Sequence, residues 1–233
     1  MKQKAVFNWS GGKDSALALY KVLQSEQYDV VSLLTTVNKS SKRSSMHALP
    51  VSLLHAQADS IGIPIYLIEF DPEEEIRGYE ECMLQAVNHF KKQGVNKFIC
   101  GDIFLHDVRS YREKQLTPYG IEVVEPLWDK TTAEIMDEFL QSGLKTVVVT
   151  TMANLLGKEY IGRLIDQSFV NELPKCIDVC GENGEYHTFC FDGALFQHPV
   201  EYKLGEPFEF SHTVNMDDGT QQVFTYWFAN INE

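Results

Sequence analysis

Residues 8 to 15 read Asn-Trp-Ser-Gly-Gly-Lys-Asp-Ser, NWSGGKDS, between the apolar run Ala5-Val6-Phe7 and the helix-like stretch ALALYKVL. A strand that runs into two glycines and a lysine and then enters a helix makes an anion-binding corner. Successive backbone N–H groups converge there, and the helix adds the positive end of its dipole. Outward from this corner the same order recurs. Apolar runs rich in β-branched residues at KAVFNW, YDVVSLLTTV, IPIYLIEF, KFICGDI, GIEVVEPL and LKTVVVTTM are mostly separated by amphipathic stretches such as PVSLLHAQADSIG and TTAEIMDEFLQSG. Repeated βα units predict a parallel sheet covered by helices on both faces, with ligands beyond the carboxyl ends of its strands. After Met152 the alternation stops, and CGENGEYHTFCFDGALF, VEYKLGEPFEFSHTV and QQVFTYWFANI predict turns joining a few antiparallel strands. The expected organisation is an α/β domain over residues 1–152 and a small α+β domain over 153–233 that closes over the first.

Composition narrows the function. The 233 residues are 44% hydrophobic and 23% charged, as in an ordinary globular protein. A formal net charge of −13 argues against an extensive nucleic-acid surface, which needs many Lys and Arg residues against phosphate. No apolar run approaches membrane-spanning length and the first residues lack a signal-peptide core, so the expected location is the cytoplasm. Five cysteines, with no CxxC pair, predict reduced thiols rather than a disulfide framework. Cys176, Cys180 and His187 fit no zinc-finger spacing. Oligomeric state leaves no signal in the sequence.

The glycine corner is not a Walker A loop. That loop needs a glycine five positions before its Gly-Lys pair and a Ser or Thr after the lysine. Phe7 and Asp14 stand in those places. SGGKDS instead resembles the PP-loop of ATP pyrophosphatases, which cleave ATP between its α- and β-phosphates. Ser10, Gly11, Gly12, Lys13, Asp14 and Ser15 are thus the expected ATP-binding residues: the glycines let the backbone approach pyrophosphate, Lys13 neutralises it, Asp14 helps hold Mg²⁺, and Ser15 donates to phosphate or caps the helix. The Ser-rich basic loop TVNKSSKRSSMHALP beside it is either a lid or a solvated loop, and Glu73 to Glu75 suit the first turn of a helix.

A second constellation, Gly181-Glu182-Asn183-Gly184-Glu185-Tyr186-His187-Thr188-Phe189, suits a tight turn that presents a carboxylate to an ammonium or a substrate amine. Together with SGGKDS, GDIFLHDVRSYRE, GIEVVEPLW and LLGKEYIG, in this register over most of the chain, it resembles the diphthine–ammonia ligase family. The resemblance implies a Rossmann-like (HUP-type) fold and an adenylating amidation. ATP activates a carboxylate as an acyl-AMP, and ammonia then forms the amide. The acceptor it implies is diphthine on elongation factor 2, or another carboxylate in a host without diphthamide. On this chain it points to Lys13, Glu182 and Glu185 for catalysis, to Gly101 and Asp102 near the nucleotide, and to His47, Arg109, Tyr186 and Thr188 as substrate or phosphate contacts. Asn183 departs from the second glycine of many relatives, and asparagine tolerates left-handed geometry. Two other readings stand beside this one: a PP-loop tRNA-modifying enzyme, which needs a basic face and catalytic cysteines, and a nucleotide sensor without turnover.

Overall fold

The computed structural model describes residues 2–44, 47–71, 76–215 and 220–233. Met46 and the run Glu73 to Glu75, both singled out in the sequence, lie outside the described residues. The first sheet is built from β1 (Gln3–Asn8), β2 (Tyr28–Asn38), β4 (Ile65–Phe70), β5 (Lys97–Ile99) and β6 (Glu122–Val124). All of their pairings are parallel, in the order β4-β2-β1-β5-β6. The short β3 (Arg43–Ser44) anneals antiparallel to the end of β2, so part of the basic loop is strand rather than a free lid.

The chain leaves β1 for β2 on one side and returns to β5 on the other. That reversal opens a crevice at the carboxyl ends of β1 and β5, where open α/β sheets bind ligands. Successive residues of β1 face opposite sides. Ala5 and Phe7 join a core with α1 (Lys13–Ser25), α2 (Val51–Ile61) and α5 (Thr132–Ser142), whereas Val6 joins a second core with α3 (Ile76–Lys91) and the end of α4 (His106–Leu116). The α/β expectation, helices on both faces included, is met.

One strand departs from the sequence reading. The apolar run LKTVVVTTM, expected in the parallel sheet, is β7 (Lys145–Met152) of a separate four-stranded antiparallel sheet, ordered β8-β7-β10-β9. It pairs with β8 (Tyr186–Asp192) and β10 (Gln221–Asn232), β9 (Lys203–Asn215) pairs with β10, and α6 (Gln167–Glu172) precedes β8 in the chain. β7 is buried on both faces, and a central strand buried on both faces reads as a continuous apolar run whichever sheet it joins. Nor does the second sheet stand off as a closing unit. Val147, Phe189 and Cys190 pack into the same cluster as Phe7 and Leu17, and the Cys190 N–H donates to the Gly11 carbonyl at 2.8 Å.

Candidate active site

The loop between β1 and α1 turns at Gly11, whose φ of 84° is left-handed, and a Cβ there would lie 2.6 Å from the Leu49 Cδ1. Gly12 is the N-cap of α1 with no side-chain cap bond. Instead Ser10 Oγ accepts from the Gly12 N–H at 3.3 Å and donates to Ser15 Oγ at 3.0 Å, and Ser15 Oγ donates to the Gly12 carbonyl at 3.1 Å. Gly101, at the exit of β5, comes so close to the start of α1 that a Cβ would sit 3.0 Å from the Ser15 Cα. These glycines let three backbone segments converge.

Lys13 is only 3% exposed. Its ammonium donates to both Asp14 oxygens, at 2.8 and 2.7 Å, and to the Cys180 carbonyl, and it lies 5.4 Å from the centre of the Tyr186 ring. Burial is the largest single influence and lowers its pKa, but Asp14, Tyr186 and Cys180 together raise it by more, so the net shift is upward and the charge persists. The Lys13 N–H is not free for an anion: it donates to Thr188 Oγ1 at 2.9 Å. Strand β8 therefore completes the loop.

The turn before β8 closes the opposite wall. Gly181 and Gly184 take φ of 70° and 85°, whereas Asn183 is not left-handed and uses its side chain to donate to Glu185 at 3.1 Å. Glu185 is 3% exposed and also accepts from the N–H groups of Asp178 and Asn183, at 3.0 and 2.9 Å. Both of its oxygens thus brace the turn from inside, and it does not line the cleft. Glu182 does. It accepts from the Ile103 N–H at 3.3 Å, which ties the turn to the β5 exit. Burial, and then the Asp14 carboxylate, push its pKa up to about 7.

Because Glu185 satisfies buried backbone donors, Glu185→Ala is expected to destabilise the fold by about 2–4 kcal/mol. Urea denaturation of the purified variant reads this directly, and an unchanged midpoint would contradict the bracing role.

These walls enclose a cavity of about 1090 Å³. Of the expected site residues, Ser10, Lys13, Asp14 and Ser15 line it, as do His47, Gly101 and Asp102 and, from the far side, Tyr186 and Thr188. Arg109 does not. It donates to Glu113 at 2.9 Å, pairs with Glu125 at 3.3 Å and stacks on Trp128. Arg112, three residues on, faces the cavity and pairs with Asp102. Helical spacing permits either arginine to face the strand ends, so sequence alone had no means of choosing.

His187 was also missed as a site residue. Its ring lies 4.9 Å from that of His47, and its Nε2 is buried without a hydrogen-bond partner. Burial, with His47 and Lys13 beside it, keeps it well below the ordinary histidine range. The Nδ1 of His47 sits 2.7 Å from the Thr188 carbonyl, which only accepts, so Nδ1 carries the proton. Cys100 and Cys180 reach the cavity too, but burial pushes both thiols up, Cys180 to about 12. Neither has the character of a nucleophilic thiolate.

Comparisons with known proteins identify the family. A family model for the diphthamide synthase N-terminal domain matches residues 1–123, and one for the diphthamide synthase C-terminal domain matches 131–223. Proteins named diphthine–ammonia ligase are similar. One from Danio rerio is 25% identical over 158 residues, 61% of this chain and 62% of that protein. One from Bos taurus is 30% identical over 143 residues, 59% of this chain and 51% of that protein. One from Mus musculus is 23% identical over 213 residues, 82% of this chain and 79% of that protein. The chain thus spans less than two thirds of the first two relatives. With both models matched in order across most of its length, the chain belongs to the diphthamide synthase family.

Proposed function

We propose that the protein is an ATP-dependent ligase that adenylates a carboxylate and forms its amide with ammonia. The acceptor is diphthine on elongation factor 2 or another carboxylate. The observation that carries this reading is the convergence of SGGKDS and GENGEYHT on one cavity, with a buried lysine on one wall and a carboxylate of near-neutral pKa on the other.

In the first half-reaction an acceptor oxygen attacks the α-phosphorus of ATP, and the bond to the bridging oxygen of the β-phosphate breaks. Negative charge builds on the departing pyrophosphate. Lys13 and the N-terminus of α1 meet that charge, and Lys13 exchanges Asp14 for phosphate oxygens as it does so. In the second half-reaction ammonia attacks the acyl carbon and AMP leaves with the C–O bond electrons. Glu182 takes the proton that the attacking nitrogen sheds, a task suited to a base whose pKa lies near the working pH.

Among the described residues the cavity wall carries two fixed cations, Lys13 and Arg112, against five carboxylates, and no three acidic, His or Cys side chains gather into a metal cluster, so a hard cation there would draw most of its oxygens from the nucleotide and water. Asp14 would hold Mg²⁺ together with phosphate oxygens of the nucleotide, and the ion would supply neutralisation of phosphate charge when bound.

Incubation with ATP, ammonium and diphthine-bearing elongation factor 2, followed by nucleotide chromatography, is expected to yield AMP and pyrophosphate. ADP and phosphate as the products would overturn the adenylation chemistry. AMP formation that ignores this acceptor would point to a different carboxylate.

A further inference from the structure

Strands β9 and β10 form a long ribbon, paired from Lys203 with Asn232 to Asn215 with Gln221. Only Tyr226 to Phe228 of β10 pair with β7. Beyond them the ribbon pairs with no other strand among the described residues. A two-stranded ribbon by itself is marginally stable in water, and three or more strands or a packed face are needed to hold one.

The two faces of the ribbon differ sharply. Cross-strand register puts Phe208 opposite Phe228, Phe210 opposite Tyr226 and His212 opposite Phe224, so all six rings share one face. His212 stacks on Tyr226 with centroids 5.7 Å apart and planes 4° from parallel, and Phe208 stacks on Phe228 at 5.8 Å. Phe208 is 49% exposed and Phe210 55%. The other face is mixed rather than aromatic: Ser211 Oγ and Thr225 Oγ1 hydrogen-bond at 2.8 Å, Glu209 stands opposite Trp227, and Val223 is 61% exposed.

We propose that the aromatic face is the contact between two copies of the chain, packed sheet against sheet about a two-fold axis. Three observations carry the assignment to a second copy. None of the six positions carries a fixed charge, although the chain as a whole carries −13, so this face lets two like-charged molecules approach without a charge being buried. Six half-covered rings offer roughly 400–500 Å² per copy, and two copies together approach the ~1,000 Å² that separates specific interfaces from casual contacts. Strand β9 is the sheet edge, but Glu206, Pro207 and Glu209 blunt it against edge-to-edge pairing, which leaves the face. Such a contact is isologous: each copy's ribbon supplies the packing layer that the other's lacks.

Sedimentation velocity on the full chain at micromolar concentration is the test. Wild type is expected at twice the 26.6 kDa chain mass, and Phe210→Glu at the single mass, with dimer affinity lowered about 100-fold or more. Val223→Glu, a 61% exposed position on the opposite face, is expected to remain dimeric. Monomeric wild type would overturn the proposal, as would a dimer indifferent to Phe210→Glu or equally broken by Val223→Glu. Circular dichroism of both variants separates lost association from lost fold.

Discussion

Lys13→Ala is expected to lower pyrophosphate release by about two to three orders of magnitude, the usual consequence of deleting a preorganised group that faces developing charge. The argument rests on burial. The ammonium is held by Asp14 and the Cys180 carbonyl beneath the Tyr186 ring, where water cannot replace it. Lys13→Arg is not expected to restore the rate, because a planar guanidinium does not fit a site shaped around a compact ammonium. The alanine variant also leaves Asp14 without its partner, at a cost of about 1–3 kcal/mol after allowing for its partial exposure. Turnover is therefore compared per folded molecule, with a urea midpoint measured alongside. A folded Lys13→Ala enzyme with near-wild-type turnover would remove the loop from the chemistry. ATP binding that survives in every variant, without turnover in wild type under any acceptor, would favour the sensor reading.

The second large effect belongs to Glu182. Glu182→Gln is expected to keep ATP–pyrophosphate exchange, which reports the first half-reaction, while amide formation falls by about 10²–10⁴. In wild type, amide formation rises with pH through about 7, because the base must be deprotonated, and the variant loses that rise. Stability moves the other way. A carboxyl raised from 4.5 to about 7 on folding binds protons more tightly when folded, so its contribution is fully present below 4.5 and is lost as pH rises through about 7. Above that pH wild type carries an ionised buried carboxylate, and glutamine relieves a penalty on the order of 2 kcal/mol. A variant that loses exchange and amidation equally would mean that Glu182 serves nucleotide binding instead.

Much of this site was readable from residue order, because its parts are local. The phosphate corner needs only a strand, two glycines and a helix in succession, and those are neighbours in sequence. The roles that sequence misassigned depend on side-chain direction or on partners far along the chain. Glu182 and Glu185 are equivalent as letters, yet one faces the cleft and the other accepts three N–H bonds inside the turn. Arg109 and Arg112 differ by less than a helical turn, and that difference sends one to Glu125 and the other to the cavity. β7 was placed in the wrong sheet because a strand buried on both faces carries no alternation to mark its partners.

The lacing of β8 to the phosphate loop has a consequence for how such proteins can be cut and rejoined. Lys13 donates to Thr188, and Cys190 donates to Gly11, across some 175 positions of chain. The seam between the two matched domain models falls between residues 123 and 131, and it therefore divides a single structural object. A hybrid joined at that seam from two distant relatives would bring a loop shaped for one strand against a strand shaped for another loop. The halves are interchangeable only as a matched set, however independent they look as segments of sequence.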